Sequence, residues 1–293
     1  MENSKTIYLG LLALFIGAAL LGSSAIFVRF SETSPSLTAF YRALLALPFL
    51  AIWIMATNKK TQLHSSLNKK DLLILLYAGA FFGTDMAIWN WSIKFTSVAH
   101  ATLMANTAPI FVTIISYFYL RNHIESSFLK ALFLTFLGVC IVIFFGSGSD
   151  TSRLLGDSLG LIAALFYASY ILCIKRLTNT ISPSLTLFYA TLFTAIFLLP
   201  VGYIEADSFF PETREGWIVL FSYAAISQAL AQGLITYGIS KLSAHFSSLV
   251  LLIQPVAAAI YGWLILFEGI NLFQIVGGAI VLFGIYISSR DQT

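Results

Sequence analysis

Long apolar runs recur along the chain, each close to the length that crosses a lipid bilayer as a helix. A spanning helix needs about 20 mostly apolar residues. Ten runs meet this requirement, at 6–28, 36–56, 71–92, 98–119, 126–145, 155–174, 184–204, 216–238, 245–266 and 271–289. The pattern therefore predicts an all-α integral membrane protein with ten transmembrane helices, called helices 1 to 10 in chain order.

Composition excludes the main alternative, a soluble protein with a large apolar core. Of the 293 residues, 58% are hydrophobic and only 10% are charged, whereas soluble domains carry roughly a quarter charged residues. The first run, from Ile7 to Val28, exceeds the 7–15 apolar residues of a signal peptide. We therefore expect a first spanning helix and no cleaved leader.

Lysine and arginine are unevenly shared between the two sides of the predicted bundle. The far side receives four, and Arg42 falls within a helix. The side of the N-terminus receives eleven: Lys5, Lys59, Lys60, Lys69, Lys70, Arg121, Lys130, Lys175, Arg176, Lys241 and Arg290. Because cytoplasmic loops carry the excess of these residues, both termini are predicted to be cytoplasmic. Short loops and compact size favour a bacterial cytoplasmic (inner) membrane.

The same helix start is written twice. "SPSLTAFYRA" begins at Ser34 and "SPSLTLFYAT" begins at Ser182. A second pair of signals follows in helices 4 and 9, where Ala99–His100 leads to Pro109 and Glu125, and Ala244–His245 leads to Pro255 and Glu268. These matches predict two five-helix repeats, 1–145 and 155–293. Since five is odd, the second repeat enters the membrane from the opposite face, a design recurrent among secondary transporters.

These segments carry a family resemblance. The stretches "GSSAIFVRFSETSPSLTAFYRALLALP" and "GTDMAIWNWSIKFTSVAHATLMANTAPIF", with the two proline-to-glutamate patterns, resemble the drug/metabolite transporter superfamily. Within it they resemble the bacterial ten-helix members with two EamA domains, and the YddG-type aromatic amino-acid exporters. The resemblance implies a basket of helices around a central cavity. It does not fix a substrate, since the superfamily carries amino acids, nucleotide sugars, drugs and other metabolites.

Two charges fall inside predicted helices. Arg42 lies about six residues into helix 2, and Asp85 lies about seven residues from the end of helix 3, which puts both at roughly 10 Å depth near the same face. A charge costs roughly 2.5–3.5 kcal/mol at a helix centre on insertion scales, so each needs a partner or water. We predict either an Arg42–Asp85 contact that joins the helices or a shared contact with the carboxylate and amine of a substrate.

Polar residues beside two prolines are the next candidates for binding. Asn106 and Thr107 precede Pro109, and Gln254 precedes Pro255. Proline removes a backbone hydrogen bond and disturbs the preceding turn, and a neighbouring amide or a ligand can use the freed carbonyls. The two sites lie near mid-membrane, where inverted-repeat carriers bind substrate. Interhelical hydrogen bonding is the alternative role.

Further polar and aromatic residues occur at similar depth. Gln228 and Gln232 are four residues apart and are expected on one face of helix 8. The other candidates for substrate binding are Tyr167 and Tyr170 on helix 6, and Trp89 and Asn90 near the mouth of helix 3. Trp91 is expected in the interfacial aromatic belt. His100 and His245, at equivalent helix starts, are either proton-linked gates or capping residues.

No enzyme motif occurs in the chain. HExxH, GxSxG and P-loop patterns are absent, so we expect a non-enzyme without cofactor or metal, and transport without ATP. Nothing suggests nucleic acid as a partner; the expected partners are the lipid bilayer and a small-molecule substrate. The first hypothesis is a carrier that exports or exchanges amino acids or similar amphipathic metabolites by alternating access. The alternatives are a carrier of drugs, nucleosides or nucleotide sugars, and a channel or structural membrane protein.

Overall fold

The fold is a bundle of apolar helices. A computed structural model describes residues 2–57, 67–95, 104–118, 121, 124–146, 154–205, 208–267, 269–270 and 272–289, with no strand among them. Numbered to match the sequence, the helices are α1 (Glu2–Leu21 and Ser24–Phe30), α2 (Pro35–Thr57), α3 (Lys69–Phe95), α4 (Ala108–Phe118), α5 (Ser126–Gly146), α6 (Leu154–Leu177), α7 (Pro183–Glu205), α8 (Arg214–Tyr223, Ala224–Ala231 and Gln232–Lys241), α9 (Ala244–Val250 and Ile253–Leu266) and α10 (Leu272–Ser289).

These helices confirm the predicted ten-helix membrane fold. Seven are long and apolar enough to cross a membrane, and three shorter apolar helices, in α4, α5 and α10, complete the set. Large apolar side chains lie on the outside, for example Phe133 at 71% and Ile204 at 84% exposure. A soluble protein would not leave such residues in water in this number, whereas lipid tails solvate them.

Equivalent helices of the two halves run antiparallel. The Ser36 N–H, at the start of α2, donates to Glu205 Oε2 at the end of α7 (3.1 Å). At the other end of the pair, the hydroxyls of Thr57 and Ser184 are 3.3 Å apart. Helices α2 and α7 start with the same sequence motif. Their opposite directions are therefore what an inverted repeat requires. The predicted inversion of the two repeats is confirmed.

The same inversion joins α5 and α10. Gly138 of α5 approaches the Gly277 carbonyl and Val281 of α10, while Gly284 of α10 lies against Thr135. The same symmetry relates another two helix contacts. Helix α3 of the first half packs on α6 of the second, and the equivalent helices α8 and α1 also pack on each other. Small residues at these crossings let the backbones approach closely, as membrane helices need.

Helix ends gather at two faces of the bundle. At the first, called the terminal face because α1 starts there, the Lys175 ammonium donates to the Ile239 carbonyl (3.0 Å). At the other, called the opposite face, the Ser92 hydroxyl donates to the Gly156 carbonyl (2.9 Å). The carboxylate of Glu32 there accepts hydrogen bonds from the Glu212 and Thr213 N–H groups (3.0 and 3.1 Å). These joints match the alternating helix directions of the predicted topology.

Three membrane helices are interrupted near mid-membrane. Helix α1 breaks at Gly22–Ser23, α4 begins directly after the turn at Asn106–Thr107, and α9 breaks at Leu251–Leu252. The last two breaks are equivalent, and each precedes a proline, which lacks an N–H and crowds the turn before it. The sequence predicted an unbroken helix 1; the Gly22–Ser23 pair interrupts it instead, with the Ser23 hydroxyl donating to the Leu20 carbonyl (2.7 Å). The predicted start of helix 4 lies outside the described residues.

Candidate functional site

A cavity lies between the two halves, where the interrupted helices meet. Its empty volume is about 890 Å³, part of which is open to solvent, and its walls come from α1, α2, α3, α4, α6, α8 and α9. On α3 the lining residues Phe82, Asp85, Met86 and Trp89 follow the three- and four-residue spacing of one helix face. The cavity extends from the helix breaks towards the opposite face, which Val28 and Trp89 approach.

Arg42 is the cation of this cavity and is rigidly held. It is only 6% exposed. Its Nε donates to Gln228 Oε1 (2.9 Å), and its Nη1 donates to the Tyr223 hydroxyl (3.1 Å). The guanidinium carbon lies 5.6 Å from the centroid of the Phe82 ring and 5.1 Å from that of Tyr223, within the range of cation–π attraction. The remaining nitrogen, Nη2, is buried and meets no hydrogen-bond partner among the described residues.

Gln228 fixes Arg42 to the second half of the molecule. While its carbonyl oxygen accepts from Arg42, its amide Nε2 donates to the Thr191 hydroxyl of α7 (3.0 Å). Gln228 lies in the π-helical turns Ala224–Ala231 of α8, a rare local geometry that often occurs at functional sites. The sequence grouped Gln228 with Gln232 as binding residues, but only Gln232 lines the cavity.

Asp85 also faces the cavity, near Arg42 but not bonded to it. No atoms of the two charged groups come within the 4.0 Å of an ion pair, and the Asp85 carboxylate accepts no hydrogen bond from any residue that the structure describes. Of the two predicted arrangements, the direct contact is therefore not formed. The cavity instead holds two opposite charges, each with capacity for a further partner.

The deeper end of the cavity is uncharged and polar. Gln232 is 1% exposed, and neither its amide nitrogen nor its amide oxygen has a described partner. The Tyr167 hydroxyl is likewise buried; the Gln232 and Gln254 side chains lie beside it, but no described group meets it in hydrogen-bonding geometry. Asn106 and Gln254 complete this end, on the two equivalent interrupted helices. Phe82 separates it from the charges, with its ring centroid 6.2 Å from that of Tyr167.

Several predicted residues lie behind the cavity wall or outside the described residues. Tyr170 stacks on the far side of Phe82, with ring centroids 4.5 Å apart. The Thr107 hydroxyl donates to the Met104 carbonyl (2.6 Å), and Pro255 does not line the cavity. His100 and Glu268 fall on residues that the structure does not describe.

Other predicted residues lie near the mouth or the rim. Trp89 and Asn90 line the mouth, where the Asn90 amide donates to the Pro35 carbonyl (2.8 Å). Trp91 is 47% exposed, as an interfacial residue would be. His245 packs its ring edge-on to Phe128 at the terminal face, with centroids 4.9 Å apart.

Sequence reasoning missed further lining residues, among them Phe82, Met86, Tyr223 and Ser24. Phe82 and Met86 stand in apolar runs that offer no signal, whereas Tyr223 and Ser24 are polar interruptions of such runs and were open to detection. Ser24 lines the cavity, and its buried hydroxyl has no partner in the described structure. Among the described residues, no cluster of three His, Cys, Asp or Glu side chains could hold a metal ion.

Comparison with known proteins places this architecture among transporters. The model of the EamA-like transporter family matches twice, at residues 8–144 and 154–290. The uncharacterized transporter YetK of Bacillus subtilis is 29% identical, over 76% of this chain and 69% of its own length. An uncharacterized transporter of Archaeoglobus fulgidus is 27% identical over 99% of both chains.

One characterised relative and one solved structure extend the comparison. The pseudopaline exporter CntI of Pseudomonas aeruginosa is 24% identical over 78% of each chain. A solved crystal structure superposes with a TM-score of 0.78 over 99% of both chains at 13% identity. At that identity, the likeness concerns the fold alone.

Proposed function

Because the chain belongs to the EamA-like transporter family and is a multi-pass membrane transporter of small molecules, we propose that its cargo is amino acids or similar amphipathic metabolites. The observation that carries the proposal is the pair of oppositely charged side chains, Arg42 and Asp85, that face one cavity without forming an ion pair with each other. A zwitterion presents the two complementary charges. Buried charges are costly in a membrane and mark substrate pathways.

The proposed binding site is the cavity wall. Its residues are Arg42, Asp85, Trp89, Asn90, Asn106, Tyr167, Gln232 and Gln254. Pairing each substrate charge with one cavity charge satisfies both without water, and such charge-assisted hydrogen bonds are the strong ones.

Transport would proceed by alternating access. Two halves of opposite orientation have two related arrangements, each open to one face, and inverted-repeat carriers expose a central site by rocking of this kind. The interrupted helices α1, α4 and α9 meet at the cavity, where rocking would change its shape. No ATP-binding motif occurs in the chain, which favours a gradient-driven exporter or exchanger.

The distribution of charged residues and the name of one relative support a particular membrane and a particular direction of transport. The excess of lysine and arginine on the terminal face supports cytoplasmic termini in a bacterial inner membrane. The relative named as a pseudopaline exporter supports outward transport.

Counterflow in proteoliposomes tests the function. Liposomes loaded with an unlabelled amino-acid panel should accumulate labelled amino acid saturably, and Asp85→Asn should lower the rate about tenfold or more. Asp71→Asn, in the first turn of the same helix and outside the cavity, is the matched control and should transport normally. Ion-scale conductance in a planar bilayer would indicate a channel, and counterflow confined to nucleosides, nucleotide sugars or cationic drugs would replace amino acids as the cargo.

A further inference from the structure

We infer that the cavity binds a zwitterion in one fixed direction and selects neutral, hydrogen-bonding side chains through Gln232 and Tyr167. The inference rests on the proposed function, which it deepens by naming the substrate class and the residues that distinguish it. It starts from three buried polar groups of one cavity, the Arg42 Nη2, the Gln232 amide and the Tyr167 hydroxyl, that meet no partner in the described part of the molecule.

The direction of the zwitterion is set by Arg42. Its Nε donates to Gln228 and Nη1 donates one of its two hydrogens to Tyr223, whereas both hydrogens of Nη2 are without a described partner and remain for a substrate carboxylate. The two aromatic rings that flank the guanidinium prevent it from turning. A substrate ammonium is repelled by Arg42 and pairs with Asp85, which has no described hydrogen bond of its own. The charged head of the substrate therefore lies at this end.

The side chain of the substrate then extends past Phe82. The Phe82 ring lies 5.6 Å from the Arg42 guanidinium carbon and 6.2 Å from the Tyr167 ring, so the charged and neutral ends are neighbours on either side of it. A substrate of amino-acid size reaches from one to the other. The chemistry of the second end therefore decides which side chain is accepted.

That second end is suited to an amide or a hydroxyl. A buried donor or acceptor that finds no partner costs about 1–3 kcal/mol. The side-chain amide of Gln232 contains both a donor and an acceptor. A neutral polar side chain satisfies these groups. An aliphatic or aromatic side chain covers them without bonding, and sites built to hydrogen-bond a substrate reject analogues that lack the group. A carboxylate side chain is disfavoured because no lysine or arginine of the described residues lines this end.

Gln232 is thus a specificity residue rather than a residue for transport itself. Removing its amide should change which substrate is preferred while the charged end continues to bind the head group. This separation makes the inference testable without relying on a loss of activity, which misfolding would also produce.

The experiment compares L-glutamine with L-norleucine, which has an unbranched apolar side chain, in counterflow by proteoliposomes. The wild type should favour glutamine by about tenfold or more in kcat/KM. Gln232→Leu should bring the kcat/KM values of the two substrates within about twofold of each other, and Tyr167→Phe should shift the ratio in the same direction by less. Tyr203→Phe, on the exposed surface of α7, is the control and should leave the ratio unchanged.

Two analogues test the direction of binding. Glutamine methyl ester lacks the carboxylate charge, and the deamino analogue of glutamine lacks the ammonium. Each should compete with labelled glutamine at least about tenfold more weakly than glutamine does. Equal competition by either analogue would overturn the assigned direction.

The outcomes separate this inference from the function beneath it. Transport of norleucine or phenylalanine in preference to glutamine overturns the selectivity while the amino-acid carrier stands. An equal loss of both substrates in Gln232→Leu, with normal protein yield, also overturns it. Absence of counterflow for every amino acid in the wild type refutes the proposed function and the inference together.

Discussion

Helices α2 and α7 begin with the same sequence but contribute differently to the molecule. Arg42 of α2 lines the cavity, whereas the repeat places Ala190 at the matching position of α7, in a buried core contact. Helix α7 contributes no lining residue; it supplies Thr191, which holds Gln228, which holds Arg42. The shared sequence gives the antiparallel packing of the pair. Two differences between the copies, Arg42 against Ala190 and Ala43 against Thr191, make α2 the proposed binding helix and α7 its support.

The ends of the same pair differ as well. At the opposite face, the start of α2 is bound by a carboxylate, Glu205 to the Ser36 N–H (3.1 Å). At the terminal face, the start of α7 meets α2, within the described residues, through the contact between the Thr57 and Ser184 hydroxyls (3.3 Å). Hydrogen bonds to charged groups are roughly twice as strong as neutral ones. The contacts between α2 and α7 are therefore stronger at the opposite face than at the terminal face, although the two helices are related by the repeat.

Removal of Arg42, which distinguishes α2 from α7, should reduce transport more than any other proposed substitution. Arg42→Ala makes the two helices alike at this position and deletes the cation that would bind a substrate carboxylate. We expect kcat/KM for counterflow to fall about a hundredfold or more, since a bond to a charged group contributes about 1.5–3 kcal/mol and the buried partners Gln228 and Tyr223 lose theirs as well. Arg176→Ala, an exposed arginine at the end of α6, is the control; a loss below threefold in Arg42→Ala would contradict the assignment.

Loss of Gln228 should have a smaller effect, because the cation stays but is no longer positioned. Gln228→Leu removes the bond to Arg42 Nε and the bond to Thr191, and we expect KM to rise about tenfold with a smaller change in kcat. Thr191→Val removes only the support behind Gln228 and should raise KM about threefold. If Thr191→Val were as damaging as Gln228→Leu, the order of support from α7 to α2 would be wrong.

The smallest expected effect concerns the hydrogen bonds of Glu32 at the opposite face. Their loss should change the stability of the protein as a function of pH. Hydrogen bonds from the hydroxyl and N–H of Thr213, and then from the Glu212 N–H, hold the pKa of the exposed Glu32 carboxyl below its usual value. A lowered pKa in the folded state adds stability above the unfolded pKa of about 4.3. That stability is lost as the pH falls through the lower folded value.

Thermal melting in detergent checks this expectation. Glu32→Gln should lower the melting temperature slightly at pH 7, and the difference from wild type should disappear as the pH falls well below 4. Glu212→Gln, which keeps its backbone N–H, should melt like the wild type at each pH. A difference between Glu32→Gln and wild type that persists undiminished at low pH would show that the charge of Glu32 is not responsible.

Several features followed from the sequence alone, because they depend on chain length and on residue type. Ten apolar runs fix ten helices, since a bilayer leaves few alternatives to a helix of that length. The repeated "SPSLT" with five helices per half fixes the inversion. Arg42, Asp85, Asn106, Gln232 and Gln254 were recognisable because polar groups at that depth are costly unless they face a cavity or a partner.

Only the tertiary structure decided which of these groups share the cavity and which lie behind it. Position along a helix sets the depth of a residue, but the neighbouring helices set which side of the helix faces inward. Tyr167 and Tyr170 lie at similar depth, yet one lines the cavity and the other stacks behind Phe82. Gln228 and Gln232 divide in the same way, where a π-helical stretch that the sequence did not reveal joins them. The roles of binding and of support within the same set of polar residues are therefore a property of how the helices pack.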